Sequence, residues 1–132
     1  MKNILFIGNS YTYFNDMPEK IFAPMAEAAG YPANVTSVTR GGYHLFQFAD
    51  PADEGGKQLR AAIAGNHYDV VVLQDQSSGP IFERAEFEQA VGDLMKLFAL
   101  RKMHLSRCTM PSTYPCPSLD GSLWNGCGGP RP

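Results

Sequence analysis

Short apolar runs alternate along this chain with stretches whose apolar positions recur every three or four residues. The run Ile4-Leu5-Phe6-Ile7 has no polar break and stops at Gly8-Asn9-Ser10. That pattern suits a strand buried on both faces, as in a parallel sheet. Ala33 to Thr39 is β-branched and partly alternating, and reads as a second strand ending at Arg40-Gly41-Gly42. Asp69 introduces Val70-Val71-Val72-Leu73, the clearest strand of the three, which runs into Gln74-Asp75-Gln76-Ser77-Ser78-Gly79-Pro80.

Helical spacing fills the intervals. A polar loop, Asn9 to Asn15, leads to a helix from about Met17 to Ala29, with Ile21, Phe22, Met25 and Ala28 on one face. Asp16 is placed to cap it, Pro18 and Glu19 suit its first turn, and Gly30 suits its end. Pro24 inside it predicts a kink or a late start. Residues 43–55 are aromatic and then acidic, with a turn at Asp50-Pro51. A short helix follows from Gly56 to Ala64. A long amphipathic one spans Glu83 to about Lys102, with Phe87, Val91, Leu94, Leu97 and Phe98 in register. Strand, helix, strand, helix, strand, helix predicts an α/β fold with right-handed crossovers and helices on both faces of a parallel sheet.

The pattern stops near residue 103. Residues 1–102 read as one patterned domain and 103–132 as an irregular tail rich in Pro, Cys and Gly. The tail holds Pro111, Pro115, Pro117, Pro130 and Pro132, half of all the prolines, together with the only tryptophan, Trp124. A doubly wound sheet calls for at least one more strand and helix here, so the C-terminal part is expected to be incomplete or irregular. Either it is loop-rich, or it is foreign to the fold through a shifted reading frame or a truncated gene.

Composition narrows the function classes. A chain of 132 residues, 44% apolar and 18% charged, is an ordinary globular domain. A net charge of −2 gives no reason to expect a nucleic-acid or membrane partner. The N-terminal apolar run ends at Gly8, too early for a signal peptide or a span, which makes a cytoplasmic location the expectation. Cys108, Cys116 and Cys127 form no C-x-x-C pair and match no common zinc spacing, so neither a metal nor another cofactor is expected.

Three strands thus each end in a small-residue polar loop, and in a parallel sheet those loops share the edge where ligands bind. Ester cleavage needs a nucleophile, a base, and donors aimed at the developing oxyanion. Ser10 can supply the nucleophile and a backbone N–H. Gly42 can supply a second N–H, since the missing side chain admits a substrate. The third loop can add an amide or hydroxyl. The bland alternative for Ser10 is a hydroxyl that caps the following turn.

Ile-Gly-Asn-Ser-Tyr-Thr after a buried first strand resembles the first block of the SGNH (GDSL-like) hydrolases, with Asn9 where many members have Asp. Gly41-Gly42 resembles the second block, and Asp69 to Ser78 the approach to the third. The likeness covers roughly residues 1–100. It implies a flavodoxin-like, three-layer α/β/α hydrolase with a serine nucleophile and a Ser-His-Asp triad. The implied oxyanion hole is made by Ser10, Gly42 and, in place of the family's asparagine, Gln74. Asn9, Tyr11, His44 and Gln76 are candidate substrate contacts. The family's last block, Asp-x-x-His, has no counterpart: three positions after Asp120 comes Leu123, and the only late histidine is His104. His44 is expected to touch substrate or pack rather than replace the base, and His67 to lie on the surface at the opposite end of the sheet. Tyr11, Tyr13, Phe14, Tyr43 and Phe46 are expected mostly to pack, with one or two lining an acyl or sugar pocket.

The implied activity is removal of acetyl or other small acyl groups from a carbohydrate-like substrate, impaired where the base is missing. The partner is then a small acyl ester. Apolar surface left by a missing strand is expected to favour a homodimer. Two other classes compete: a flavodoxin-like module holding the phosphate of a flavin mononucleotide with Ser10, Tyr11 and Thr12, and a non-catalytic remnant of the hydrolase fold. A P-loop enzyme is excluded, because no Gly-Lys-Ser/Thr follows Gly8-Asn9-Ser10.

Overall fold

The computed structural model describes residues 1–101. The tail from 103 onward, with its cysteines, Asp120 and His104, lies outside the described residues. Strands β1 (Lys2–Gly8), β2 (Ala33–Thr39) and β3 (Val70–Leu73) form a parallel sheet in the order β2-β1-β3. Ile4 stands opposite Val35 on one side and Val70 on the other.

The central position of β1 explains its unbroken apolar run. Leu5 and Ile7 enter a core with Val38, Leu45, Phe48, Leu59, Ile63, Val71, Leu94 and Phe98. Ile4 and Phe6 point to the other face, where the Phe22 ring meets that of Phe6 edge-on at 5.2 Å. Each such side chain contributes about 1.5–3 kcal/mol when fully buried. Helical layers on both faces of a parallel sheet make the α/β fold that the sequence pattern predicts.

The segment after β1 departs from expectation. The supposed loop contains a helical turn, α1 (Ser10–Tyr13), then a 3₁₀ turn over Phe14–Asp16. Asn15 and Asp16 both take left-handed backbone angles, φ 55° and 52°. The helix that follows opens as a π-helix, Met17–Phe22, and becomes α-helical only in α2 (Ala23–Ala28). Pro24 accounts for this, since its ring collides with the carbonyl four residues back in an α-helix and the wider turn relieves the clash. Widening the turn also shifts the apolar stripe. Ile21 is 44% and Met25 65% exposed, against the buried face expected of them. Asp16 precedes this helix without capping it, and its carboxylate pairs with Lys20 at 2.6 Å. Gly30, at φ 83°, ends α2 as expected: its N–H bonds Glu27 O while Tyr31 N–H bonds Ala26 O.

Helix α3 (Leu45–Ala49) sits in the aromatic stretch that the pattern left without an element, and buries Leu45 and Phe48. Helix α4 (Glu54–Ala64) starts where the Asp53 side chain accepts Gly55 N–H at 2.8 Å. Arg60 on α4 donates to the carbonyls of Phe48 and Ala49 and so ties α3 to α4. The expected long helix is α6 (Arg84–Ala99); a further short turn, α5 (Gly79–Phe82), forms at the end of the expected polar loop and is parted from α6 at Glu83, whose φ and ψ of −122° and 40° are not helical. Helix α6 buries Ala90, Leu94 and Phe98, with Phe87, Val91 and Leu97 packed beside them.

At the N-terminal ends of the strands, Asp69 Oδ2 accepts Asn3 N–H at 2.8 Å. That bond holds the Asp69 carboxyl below the ordinary carboxylate range, with smaller help from Lys2, His67 and the N-terminus. His67 is exposed there, as expected. Two shallow hollows also lie at this end, lined by residues such as Met1, Pro32 and Asp69, and neither includes Ser10.

Candidate active site

The loops that follow the three strands meet at the C-terminal edge of the sheet. Just past the ends of β2 and β3, Arg40 N–H bonds Gly8 O at 3.1 Å and Gln74 N–H bonds Ile7 O at 2.9 Å. These bonds draw the second and third loops alongside Gly8.

Asn9 joins all three. Its backbone N–H donates to Gln74 Oε1 at 3.0 Å, its Nδ2 donates to Tyr43 O at 3.0 Å, and its Oδ1 accepts Tyr11 N–H at 3.1 Å. With both ends of its amide used and only 1% of the residue exposed, Asn9 ties loops together and offers no surface to a substrate. Gln74 completes the junction. Its Oε1 also accepts the Thr12 hydroxyl at 2.8 Å, while its Nε2 donates to the Asp75 carbonyl. The amide expected to face an oxyanion thus lies under the first loop, packed between Gly8 and Thr12. Gly8 is required there, because a Cβ would overlap Thr12 Oγ1 and come within 2.6 Å of Gln74 Oε1. Every polar atom of this network finds a partner, as burial demands.

Ser10 stands at the outer rim of the junction, exposed, as the first residue of α1. Gly42 is exposed in the neighbouring turn with φ at 72°, a backbone state that glycine adopts without strain. Tyr11 is 66% exposed and open to solvent beside Ser10.

His44 follows this turn and caps α3, its N–H bonded to Gln47 Oε1 at 2.9 Å. Its Nδ1 lies 3.4 Å from Glu83 Oε2 and 3.7 Å from Asp75 Oδ1, and its ring stacks on Phe46 at 5.1 Å. The Asp75 carboxylate is itself nearly buried and accepts the N–H groups of Leu45 and Gln76. Gln76 is half-buried, with its Oε1 turned back onto Ser77 N–H. Among the described residues, no histidine is hydrogen-bonded to the Ser10 hydroxyl.

Sequence reasoning missed Asp75, and it named Thr12 and Tyr13 without their contacts. Thr12 and Asp75 carry the internal ties, and Tyr13 lies over Gly41, where a Cβ would stand 2.9 Å from its hydroxyl oxygen. The signal for Tyr13 was its spacing of three from Ser10, which matters only once the segment is helical.

Fold and site together define a three-layer α/β protein with a serine presented at the C-terminal edge of a parallel sheet. Among solved structures the chain is similar to one described as "a putative SGNH hydrolase from Slackia heliotrinireducens", at 29% identity and a TM-score of 0.71. The match covers 88% of this chain and 60% of that one, so this chain spans less than two thirds of its neighbour's length. No family model matches the chain, and the search of curated proteins finds no match either. The structural likeness supports an SGNH-like hydrolase fold.

Proposed function

We propose that the chain carries the nucleophile half of a serine ester hydrolase of the SGNH type. Its inferred substrates are small acyl esters, acetyl groups on a carbohydrate-like acceptor foremost. The observation that carries this reading is Ser10 itself, exposed at the end of the central strand beside the positive-φ turn at Gly42. The capping role for this turn falls to Asn9, whose Oδ1 accepts Tyr11 N–H.

In the inferred mechanism, Ser10 Oγ attacks the ester carbonyl. The backbone N–H groups of Ser10 and Gly42 receive the charge that develops on the carbonyl oxygen. The step needs a base to take the Ser10 proton. The chain has no Asp-x-x-His after residue 100, and no histidine among the described residues bonds Ser10. Loss of a triad member removes several orders of magnitude in rate. Turnover by this chain is therefore expected to be slow.

Hydrolysis of p-nitrophenyl acetate by the wild type and by Ser10→Ala tests the reading. A small Ser10-dependent excess is expected. Equal rates would reject Ser10 as the nucleophile, and turnover at the level of a complete triad would reject the impairment.

A further inference from the structure

We propose that the Tyr13 hydroxyl is a catalytic residue, the side-chain donor of the oxyanion site, in the role expected of the third-loop amide. The inference rests on Ser10 being the nucleophile. Three observations carry it.

The first is placement. Ser10 and Tyr13 open and close α1, and a separation of three residues puts both side chains on one face of a helical turn. The second is the approach of Tyr13 to the second loop. Its hydroxyl oxygen lies 2.9 Å from where a Gly41 Cβ would be, so a side chain at 41 would displace the phenol. The phenol that Gly41 admits thus reaches the loop that carries Gly42. The third is availability. The Tyr13 hydroxyl makes no hydrogen bond among the described residues, and the side chain is 41% exposed. Gln74, by contrast, has its amide oxygen bound to Asn9 N–H and Thr12 and its amide nitrogen to the Asp75 carbonyl.

The chemistry asks little of the phenol. As Ser10 Oγ bonds to the acyl carbon, the carbonyl π electrons move onto oxygen, and the Tyr13 O–H donates a hydrogen bond to that oxygen while keeping its proton. Hydrogen bonds to charged acceptors are the strong ones, which is why the donor matters in the tetrahedral state more than in the bound ester.

Phenylboronic acid tests this without depending on turnover. Ser10 Oγ adds a lone pair to boron, its proton passes to water, and the anionic tetrahedral adduct needs the same donors. Binding is followed by ¹¹B NMR and titration calorimetry for the wild type, Ser10→Ala, Tyr13→Phe and Gly41→Ala. The expected result is loss of binding in Ser10→Ala and weakening by about 10- to 100-fold in Tyr13→Phe. Gly41→Ala, which moves the phenol without deleting it, is expected to weaken binding too. A tyrosine difference spectrum on boronate addition should appear in the wild type and vanish in Tyr13→Phe. Wild-type affinity in Tyr13→Phe, with binding lost in Ser10→Ala, would overturn the role of Tyr13 and leave the nucleophile standing. Equal affinity in all four proteins would overturn both. Failure of the wild type to bind at millimolar boronate would overturn the oxyanion site, leaving the p-nitrophenyl acetate comparison to decide on Ser10.

Discussion

Replacing Asn9 by the acid that many SGNH hydrolases carry there isolates one bond of the three-loop junction. In Asn9→Asp the Oδ1 acceptor for Tyr11 N–H survives, and so does the backbone N–H that donates to Gln74. Only the Nδ2 donor to Tyr43 O, at 3.0 Å, is lost, and an anionic oxygen takes its place facing a carbonyl oxygen. The residue is 1% exposed, so water cannot repair the pair. An unsatisfied buried acceptor costs about 1–3 kcal/mol. Each unit by which the native carboxyl is pushed above its unfolded value costs about 1.4 kcal/mol more. At pH 7.5 the variant should therefore be about 2–4 kcal/mol less stable than the wild type. The deficit must depend on pH. An acid whose native pKa is raised contributes stability fully present below its unfolded value, near 3.9, and loses it as pH rises through the raised native value. Protonated, the new carboxyl can donate to Tyr43 O, and the gap should fall below about 1 kcal/mol near pH 4. Urea unfolding followed by circular dichroism, comparing variant with wild type at each pH, measures this. A gap of the same size at pH 4 and pH 7.5 would refute the reasoning, as would a gap too small to detect at the higher pH.

Two helix-interior glycines should respond in opposite directions to alanine. Gly92 on α6 has nothing within 4 Å of where a Cβ would go, so Gly92→Ala should stabilise by about 0.5–1 kcal/mol through backbone entropy. At Gly56 on α4 the Cβ would overlap the Asp50 carbonyl, so Gly56→Ala should cost about 1–3 kcal/mol despite the better helix former. Thermal melts read both, at about 4–8 °C per kcal/mol, and shifts of one sign would contradict the packing argument. Gln74→Leu strips acceptors from Asn9 N–H and the Thr12 hydroxyl, and should lower the melting temperature by at least about 5 °C; an unchanged melt would show that the junction does not need Gln74. Asp69, held below the ordinary carboxylate range by Asn3 N–H, stabilises the fold above about pH 3.8, and that contribution disappears as pH falls through the lowered native value. Asp69→Asn should therefore lose stability at pH 6 by a margin that shrinks as pH falls below about 3.8; a gap that stays the same size would reject the linkage.

What was legible in the sequence followed how locally each feature is determined. Ile4 to Ile7, Ala33 to Thr39 and Val70 to Leu73 became strands within a residue or two, because a parallel strand needs only a run of apolar or β-branched residues to satisfy two buried faces. Gly30 ended its helix because a positive φ is a single-residue requirement. The segment from Ser10 to Phe22 was misread because its shape depends on a conflict between neighbours. Pro24 forbids an α-helical carbonyl at Lys20, the turn widens into a π-helix, and the chain enters it through two left-handed residues. No periodicity of 3.6 survives such a passage, so the stripe of Ile21 and Met25 pointed to a face that is not buried.

The site divides along the same line. Ser10 and Gly42 could be placed from sequence because each lies within three residues of a strand's end, and strand ends set their edge of the sheet. The side chains that decide what this edge can do are fixed by contacts more than 30 residues apart. Asn9 to Tyr43 and Asn9 to Gln74 are such contacts, and so is Thr12 to Gln74. A sequence spacing cannot reveal that Gln74 turns its amide oxygen inward to two donors of the first loop. It cannot reveal either that Gly41 leaves room for a phenol from α1. Read from sequence, the third loop supplies the side-chain donor and the first loop supplies only the nucleophile. Read from the structure, the third loop holds the first in shape, and the first carries both Ser10 and the Tyr13 hydroxyl that reaches Gly41.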